Sequence, residues 1–315
     1  MQLVVLDGWP INPNDLSWDC LKEFGTLSVY DRTDSSMVAR RIRGADIVLT
    51  NKVKVTGDDI RSDRALKMIS VLATGYDPVD IAVARELGIP VCNVPAYSTA
   101  AVAQLAISHM LELFEHVGLH TSLVHRGAWS ASPDFTFWRE APVELNGLTL
   151  GILGCGQIGR RVAVIGKALG MKVIGTNPSK NPDFVGEYVE FDELLRFSDV
   201  ISLHCPAKKE TIGIIDSDAI AKMKDGAILI NTARGSLIVE SDVREALESG
   251  KLGGLGVDVV SSEPMSVHNP LLGAPNCTIT PHYGWAPKTA RVRLLDVTCA
   301  NIRAFLNGQP QNQVN

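Results

Sequence analysis

The stretch TLGILGCGQIGR, residues 149–160, decides the architecture of this chain. An apolar run from Thr149 to Leu153 meets Gly154, Cys155, Gly156, Gln157, Ile158 and Gly159, and a helical pattern, QIGRRVAVIGKALG, follows at once. Alone, a GxGxxG spacing is a weak signal. Set between strand and helix it becomes specific, because the glycines let the backbone turn tightly, approach a pyrophosphate and pack helix on sheet. The helix N-terminus then offers free N–H groups to phosphate. The expectation is a dinucleotide site.

Outward from this motif the same alternation continues through MKVIGT, DVISLHCP, AILINTARG, GGLGVDVV and TITPH, with helical patterns such as ESDVREALESG between them. An independent series precedes it: LVVLD, TLSVYD, DIVLTN, SVLATG and PVCNVP. Continuous apolar strands separated by helices mean parallel sheets covered on both faces. The fold class expected is therefore α/β, with two doubly wound parallel-sheet domains. Residues 99–286 form the larger, Rossmann-type cofactor domain. Residues 1–98 form a smaller flavodoxin-like domain for the substrate, and the last helix, APKTARVRLLDVTCANIRAFLNG, has no strand after it and is expected to return to that domain as residues 287–315. The segment STAAVAQLAISHMLELFEHV reads as one strong helix. Residues 118–146 then lose periodicity and gain Trp129, Phe135, Phe137 and Trp138, which suggests a segment that packs on a second subunit.

Bulk properties narrow the function. A chain of 315 residues exceeds what one core usually supports, which agrees with two domains and a cleft. The net charge of −5 and the lack of a Lys/Arg run argue against a nucleic-acid or anionic-membrane partner. The N-terminus MQLVVLDGWP reads as a strand rather than a signal peptide, and no apolar run is long enough to span a bilayer. Six cysteines without a CxxC pair read as reduced thiols of a cytoplasmic protein, and no metal site is assigned.

In an open α/β sheet, ligands bind at the carboxyl ends of strands. Thr232, Ala233 and Arg234 follow ILIN, Asp258 follows LGV, Glu263 lies five residues on, and His282 follows TIT. A guanidinium suits a carboxylate and an adjacent carbonyl oxygen. His282 is suited to deliver a proton there, and a carboxylate such as Glu263 on its other nitrogen would orient the ring. His204 also ends a strand, whereas the histidines at 109, 116, 120, 125 and 268 fall on helices or loops and read as structural. The strand MKVIGT ends at Asn177, eighteen positions beyond Gly159. An acid there would bond the ribose hydroxyls of NAD and repel the extra phosphate of NADP, whereas an amide can bond but repels nothing.

GILGCGQIGR, NTARGSLIVE, GVDVVSSEP and TPHYGW, in this order and across nearly the whole chain, resemble the D-isomer-specific 2-hydroxyacid dehydrogenases, in particular their glycerate dehydrogenase/hydroxypyruvate reductase branch. The resemblance implies hydride transfer between NAD(H) and a small 2-keto or D-2-hydroxy acid, glycerate/hydroxypyruvate or glyoxylate foremost. It implies that Arg234 binds and polarises the keto acid, that His282 is the acid/base, and that Glu263 orients it. It places Thr74 and Gly75 at the substrate carboxylate, with Asn51 and Lys52 nearby. Val102, Gly154, Gly156, Gln157, Ile158, Gly159, Asn177, Cys205, Thr232, Ala233 and Asp258 would line the cofactor path. Residues 118–146 would form the arm of a homodimer, with Trp138 reaching the partner's site. Asn177 departs from the family's usual acid, which leaves NADP(H) less strongly rejected. Gln104, Tyr283 and Trp285 depart from the family's usual residues and leave the substrate open. The rival reading is a dinucleotide-sensing binding protein without catalysis, against which the intact Arg234, Glu263 and His282 set argues.

Overall fold

The central strands are buried along their length, and successive side chains enter apolar clusters on opposite faces, so both sheets are covered on two sides. In a computed structural model describing residues 1–315, Leu3 and Val5 enter one apolar cluster while Val4 enters another, and Ile47 and Leu49 likewise part from Val48. These residues belong to β1 (Gln2–Val5) and β3 (Ile47–Thr50), which with β2 (Thr26–Val29), β4 (Met68–Val71) and β5 (Val91–Cys92) form a five-stranded sheet in the order β2-β1-β3-β4-β5. All its pairings are parallel. Side chains pointing to both faces find apolar partners, as parallel sheets require. The strands are joined by short helices, α1 (Asp19–Lys22), α2 (Val38–Ile42), α3 (Gly57–Arg61) and α4 (Ile81–Glu86).

The second sheet has seven parallel strands in the order β12-β11-β10-β9-β6-β7-β8. They are β6 (Thr149–Leu153), β7 (Lys172–Thr176), β8 (Glu187–Tyr188), β9 (Val200–Leu203), β10 (Ala227–Asn231), β11 (Leu252–Val257) and β12 (Cys277–Ile279). Counted from β6 this is the doubly wound order 3-2-1-4-5-6 extended by one strand, with its switch between β6 and β9. Leu150 and Ile152 face the cluster built with α5 (Thr99–Glu115) and α7 (Gln157–Ala168), and Leu153 faces the opposite one. Helices α8 (Phe191–Phe197), α9 (Ser217–Lys222) and α10 (Glu240–Glu248) complete that second layer.

The chain divides into two units, Met1–Ser98 with Trp285–Asn315, and Thr99–Gly284. The final helix α11 (Lys288–Leu306) buries Ala290, Leu294, Leu295, Cys299 and Ile302 against the five-stranded sheet's core. Arg291 anchors it, donating to both carboxylate oxygens of Asp15 at 2.6 Å and to the Ile11 carbonyl at 2.9 Å. The polar tail after it is ordered: Gln313 bridges Cys92 in antiparallel fashion, and Val314 donates to the Val91 carbonyl at 2.9 Å.

The long helix expected through residue 117 stops at Glu115, because His116 adopts a left-handed φ of 50°. A separate helix, α6 (Val117–His125), follows inside the segment that carried no periodicity. No helix is long and apolar enough to cross a membrane. All six cysteines are unpaired.

Candidate active site

Each of the three glycines in the fingerprint has a distinct physical reason. Gly154 has φ +99°, and a Cβ there would lie 2.5 Å from the Cys205 nitrogen. At Gly159 a Cβ would lie 2.2 Å from the Gly154 carbonyl oxygen, so only hydrogen lets α7 close onto the turn. A Cβ at Gly156, by contrast, would meet nothing within 4 Å. Its backbone is thus bare and approachable, as a diphosphate requires, and Gly156 caps α7 without a side chain over the first N–H groups. Just beyond the end of β10 the Thr232 hydroxyl is buried without any hydrogen-bond partner. A bare cap and an orphaned buried hydroxyl fit a dinucleotide.

Asn177 lies at the end of β7 and is pinned from both sides. Its Oδ1 accepts the Cys155 N–H at 3.1 Å, and its Nδ2 donates to the Ser179 carbonyl at 2.6 Å. The amide orientation is therefore fixed by chemistry. Arg160 of α7 ties down the rest of the loop through Asn181 at 3.0 Å and Asp183 at 2.6 Å. Val102 is buried on α5, Gln157 and Ile158 open α7, and Cys205 follows β9. Burial pushes the Cys205 thiol up, and Cys155 up to about 11, so neither is a nucleophile near neutrality.

Three adjacent strands, β10, β11 and β12, deliver the polar residues at their carboxyl ends. After β10, the Asn231 side chain holds the turn, accepting from Ala233 N at 3.1 Å and donating to the Arg234 carbonyl at 2.8 Å. Gly235 lets this turn press on Val260, since a Cβ there would lie 1.9 Å from that carbonyl carbon. Arg234 itself is half-buried and rests one N–H on the Ala233 carbonyl at 2.7 Å. After β11, buried Asp258 accepts from the Thr280 hydroxyl at 2.6 Å, Tyr283 N at 3.0 Å and Gly284 N at 2.9 Å. After β12, His282 takes φ +51° and points Nδ1 at Glu263 Oε2, 2.6 Å away, with side chains 25% and 34% exposed.

His204 is the other strand-end histidine, and its surroundings differ. Its Nε2 pairs with Ser202 at 2.8 Å, its Nδ1 is buried without a partner, and burial drives the imidazole down to about 3. Burial therefore favours its neutral form, which does not suit a proton donor. His282, with a carboxylate on one nitrogen and partial access to solvent, has the arrangement of an acid/base group.

The smaller unit presents its own strand-end set. Asn51 is buried after β3 and donates to the Leu72 carbonyl at 2.6 Å, while Lys52 beside it is exposed. After β4, the Thr74 hydroxyl donates to the Val94 carbonyl at 2.9 Å, and the N–H groups of Thr74 and Gly75 have no backbone acceptor.

Two acids that the sequence reading did not single out shape these loops. Asp7 accepts the N–H groups of Asn51, Lys52 and Val53 at 2.7, 2.6 and 3.0 Å, and burial raises its carboxyl above the usual range although those bonds pull it down. Glu240 is buried at the start of α10 and holds Ser261 N at 2.7 Å, the Ser261 hydroxyl at 2.8 Å and Asn269 at 2.9 Å, fixing the loop that carries Glu263. Asp7 stands just past the end of β1 and Glu240 in the first turn of α10, and neither place by itself announces the partners it holds.

Residues 107–284 match the family model of the D-isomer specific 2-hydroxyacid dehydrogenase NAD binding domain. The chain belongs to the D-isomer-specific 2-hydroxyacid dehydrogenases. It is 50% identical to a hydroxypyruvate reductase of Blautia hydrogenotrophica over the whole of both chains. With a glycerate dehydrogenase of Methylorubrum extorquens it shares 37% identity, covering 93% of this chain and 94% of that one. The crystal structure of a D-lactate dehydrogenase from Aquifex aeolicus, complexed with NAD and lactic acid, superposes with a TM-score of 0.83 at 30% identity, covering 98% and 96%. As a member of this family the protein is an NAD-dependent oxidoreductase of 2-hydroxy acids. The catalytically silent sensor is not favoured.

Proposed function

We propose that the protein reduces a small 2-keto acid, hydroxypyruvate or glyoxylate, and oxidises the matching D-2-hydroxy acid, glycerate in the first case. The observation that carries this reading is the Glu263–His282 pair at 2.6 Å, set beside the Arg234 turn on adjacent strands of a dinucleotide fold. The glycine turn and the start of α7 would hold the diphosphate, Asn177 the adenine-side ribose, and Thr232 and Asp258 the nicotinamide end. When bound, the nicotinamide supplies or takes up the hydride.

Arg234 binds the substrate carboxylate and polarises its C2 carbonyl by charge-assisted hydrogen bonds. His282 donates a proton to the carbonyl oxygen in reduction and removes it in oxidation. Glu263 fixes the ring through Nδ1, leaving Nε2 to face the oxygen, and its negative charge stabilises the imidazolium. Thr74 and Gly75, with Asn51 and Lys52, form the substrate side of the smaller unit and address the carboxylate. The preference for hydroxypyruvate is supported by the similarity to a hydroxypyruvate reductase across full length.

The arm carries Phe135, Trp138 and Trp129 at 90, 62 and 52% exposed, a concentration of large rings that a homodimer would cover. Sedimentation at micromolar concentration checks this: a species of one-chain mass sinks the dimer.

The function itself is tested by a screen of keto acids with NADH and NADPH, followed as loss of absorbance. Fastest turnover on hydroxypyruvate or glyoxylate supports the proposal. A preference for branched or aromatic keto acids overturns the substrate, and cofactor binding without any turnover overturns catalysis.

A further inference from the structure

His109 lies on α5, far along the chain from the strand-end residues, yet it is buried against them. A Cβ on Gly256 of β11 would lie 2.6 Å from His109 Cβ, so the glycine makes room for this ring. His109 Nδ1 is 2.7 Å from the Thr278 hydroxyl and Nε2 is 3.1 Å from the Thr280 hydroxyl. Thr280 has one proton. Its acceptors are Asp258 Oδ1 at 2.6 Å and the Val257 carbonyl at 3.5 Å, and the short, charged one takes it. His109 must then donate to Thr280 through Nε2–H.

The rest of the ring agrees with that direction. With the proton on Nε2, a neutral imidazole accepts at Nδ1, and the Thr278 hydroxyl is placed to donate there because its other acceptor, the Leu255 carbonyl, is 3.4 Å away. Burial holds this imidazole below its usual range, keeping the single-proton form.

What this chain of bonds reaches is the turn from Thr280 to Gly284. Asp258 receives Thr280, Tyr283 and Gly284 on one carboxylate, which leaves His282 between two tethered neighbours at φ +51°. His282 N also closes on the Thr280 carbonyl at 3.0 Å. A non-glycine residue in that left-handed region persists only where its surroundings over-determine it.

We infer that His109 is a positioning residue: by donating Nε2–H to Thr280 it commits the Thr280 proton to Asp258 and so holds the His282 turn in its working conformation. The inference rests on His282 as the proton donor. Without the His109 donor, the Thr280 oxygen loses the bond that fixes its rotation in the core, its tether to Asp258 is held less firmly, and His282 spends less time aligned.

The test compares His109→Leu, His109→Gln, Thr280→Val and the double variant His109→Leu/Thr280→Val, using the full chain and the keto acid reduced fastest in the screen. His109→Leu should lower kcat about tenfold, the worth of one hydrogen bond read as a rate, with KM little changed. His109→Gln, which keeps a donor at the same depth, should recover most of it. The double variant should be no worse than Thr280→Val alone, since both lesions cut one relay. A His109→Leu variant with wild-type kcat, a Gln variant as poor as Leu, or additive losses would each overturn the inference. Nitrogen-15 histidine spectra of the wild type give a readout free of turnover: His109 should show the Nε2–H tautomer, and an Nδ1–H tautomer sinks the relay. His282→Ala, assayed alongside, separates the two claims. If it keeps wild-type activity, the donor assignment fails; if it is inactive while His109→Leu is normal, only the relay fails.

Discussion

His282 Nδ1 and Glu263 Oε2 are 2.6 Å apart, although nineteen positions separate the two residues in the chain. Removing the imidazole should remove the proton step: His282→Ala is expected to lower kcat by about a hundredfold to ten-thousandfold. Glu263→Gln keeps a bond to the ring but not the charge, so a smaller fall of about ten to a hundredfold is expected. Steady-state kinetics on both variants checks this, and equal losses for the two would contradict a donor with a helper.

The fingerprint glycines separate folding from binding. Gly156→Ala adds a methyl into open space, so the melting temperature should hold while the NADH Kd rises by about tenfold, the worth of one phosphate contact. Gly159→Ala sets a methyl 2.2 Å from a carbonyl oxygen and should cost about 1–3 kcal/mol of stability. Thermal melts with fluorescence titration of NADH read both. Loss of stability in Gly156→Ala with unchanged affinity would reverse the assignment.

Asn177 is expected to leave NADPH usable beside NADH, because no carboxylate stands at the end of β7 to repel a phosphate. Asn177→Asp should lower the ratio of NADPH to NADH efficiency. The same substitution removes the two donors that Asn177 aims at Ser179, so some affinity for both cofactors should fall with it. An unchanged ratio defeats the expectation.

The Arg291 guanidinium holds the Asp15 carboxyl below its usual value of 3.8, chiefly by direct hydrogen bonding. A depressed carboxylate adds stability above the unfolded pKa and loses it as pH falls through the folded one. Asp15→Asn should therefore melt lower than wild type at neutral pH, and the gap should close as pH drops below 3.8. Melting curves from neutral to strongly acidic pH test the sign. A gap that widens in acid would show that the pair does not act in this way.

Eleven of the twelve strands were legible as largely apolar runs, and their ends marked where Arg234, Asp258 and His282 emerge; β8 (Glu187–Tyr188), two residues with no apolar run, was not. The exact place of the helix break was not either, since His116 itself is neither glycine nor proline and only its backbone angle reveals it. Glu240 reads in sequence as the exposed first turn of a helix, and nothing local tells that Ser261 and Asn269 fold over it. His109 sits in ISHML, where spacing shows a buried face but not the two threonines of β12 and its following turn that the face meets. Local pattern reports periodicity; partners distant in sequence are set by strand order.

The inclusion of α11 in the smaller unit imposes an order on synthesis. Residues 99–284 form a continuous unit and can complete their sheet as soon as Gly284 has left the ribosome. The first ninety-eight residues, made earlier, cannot. Their core lacks Leu294, Leu295 and Ile302, and β5 lacks the strand-like cover of Gln313 and Val314, until α11 and the segment after it have been made. The unit begun before residues 99–284 is thus completed after them, and until then the β5 edge lacks its cover, an exposed strand edge of the kind that invites pairing with other chains.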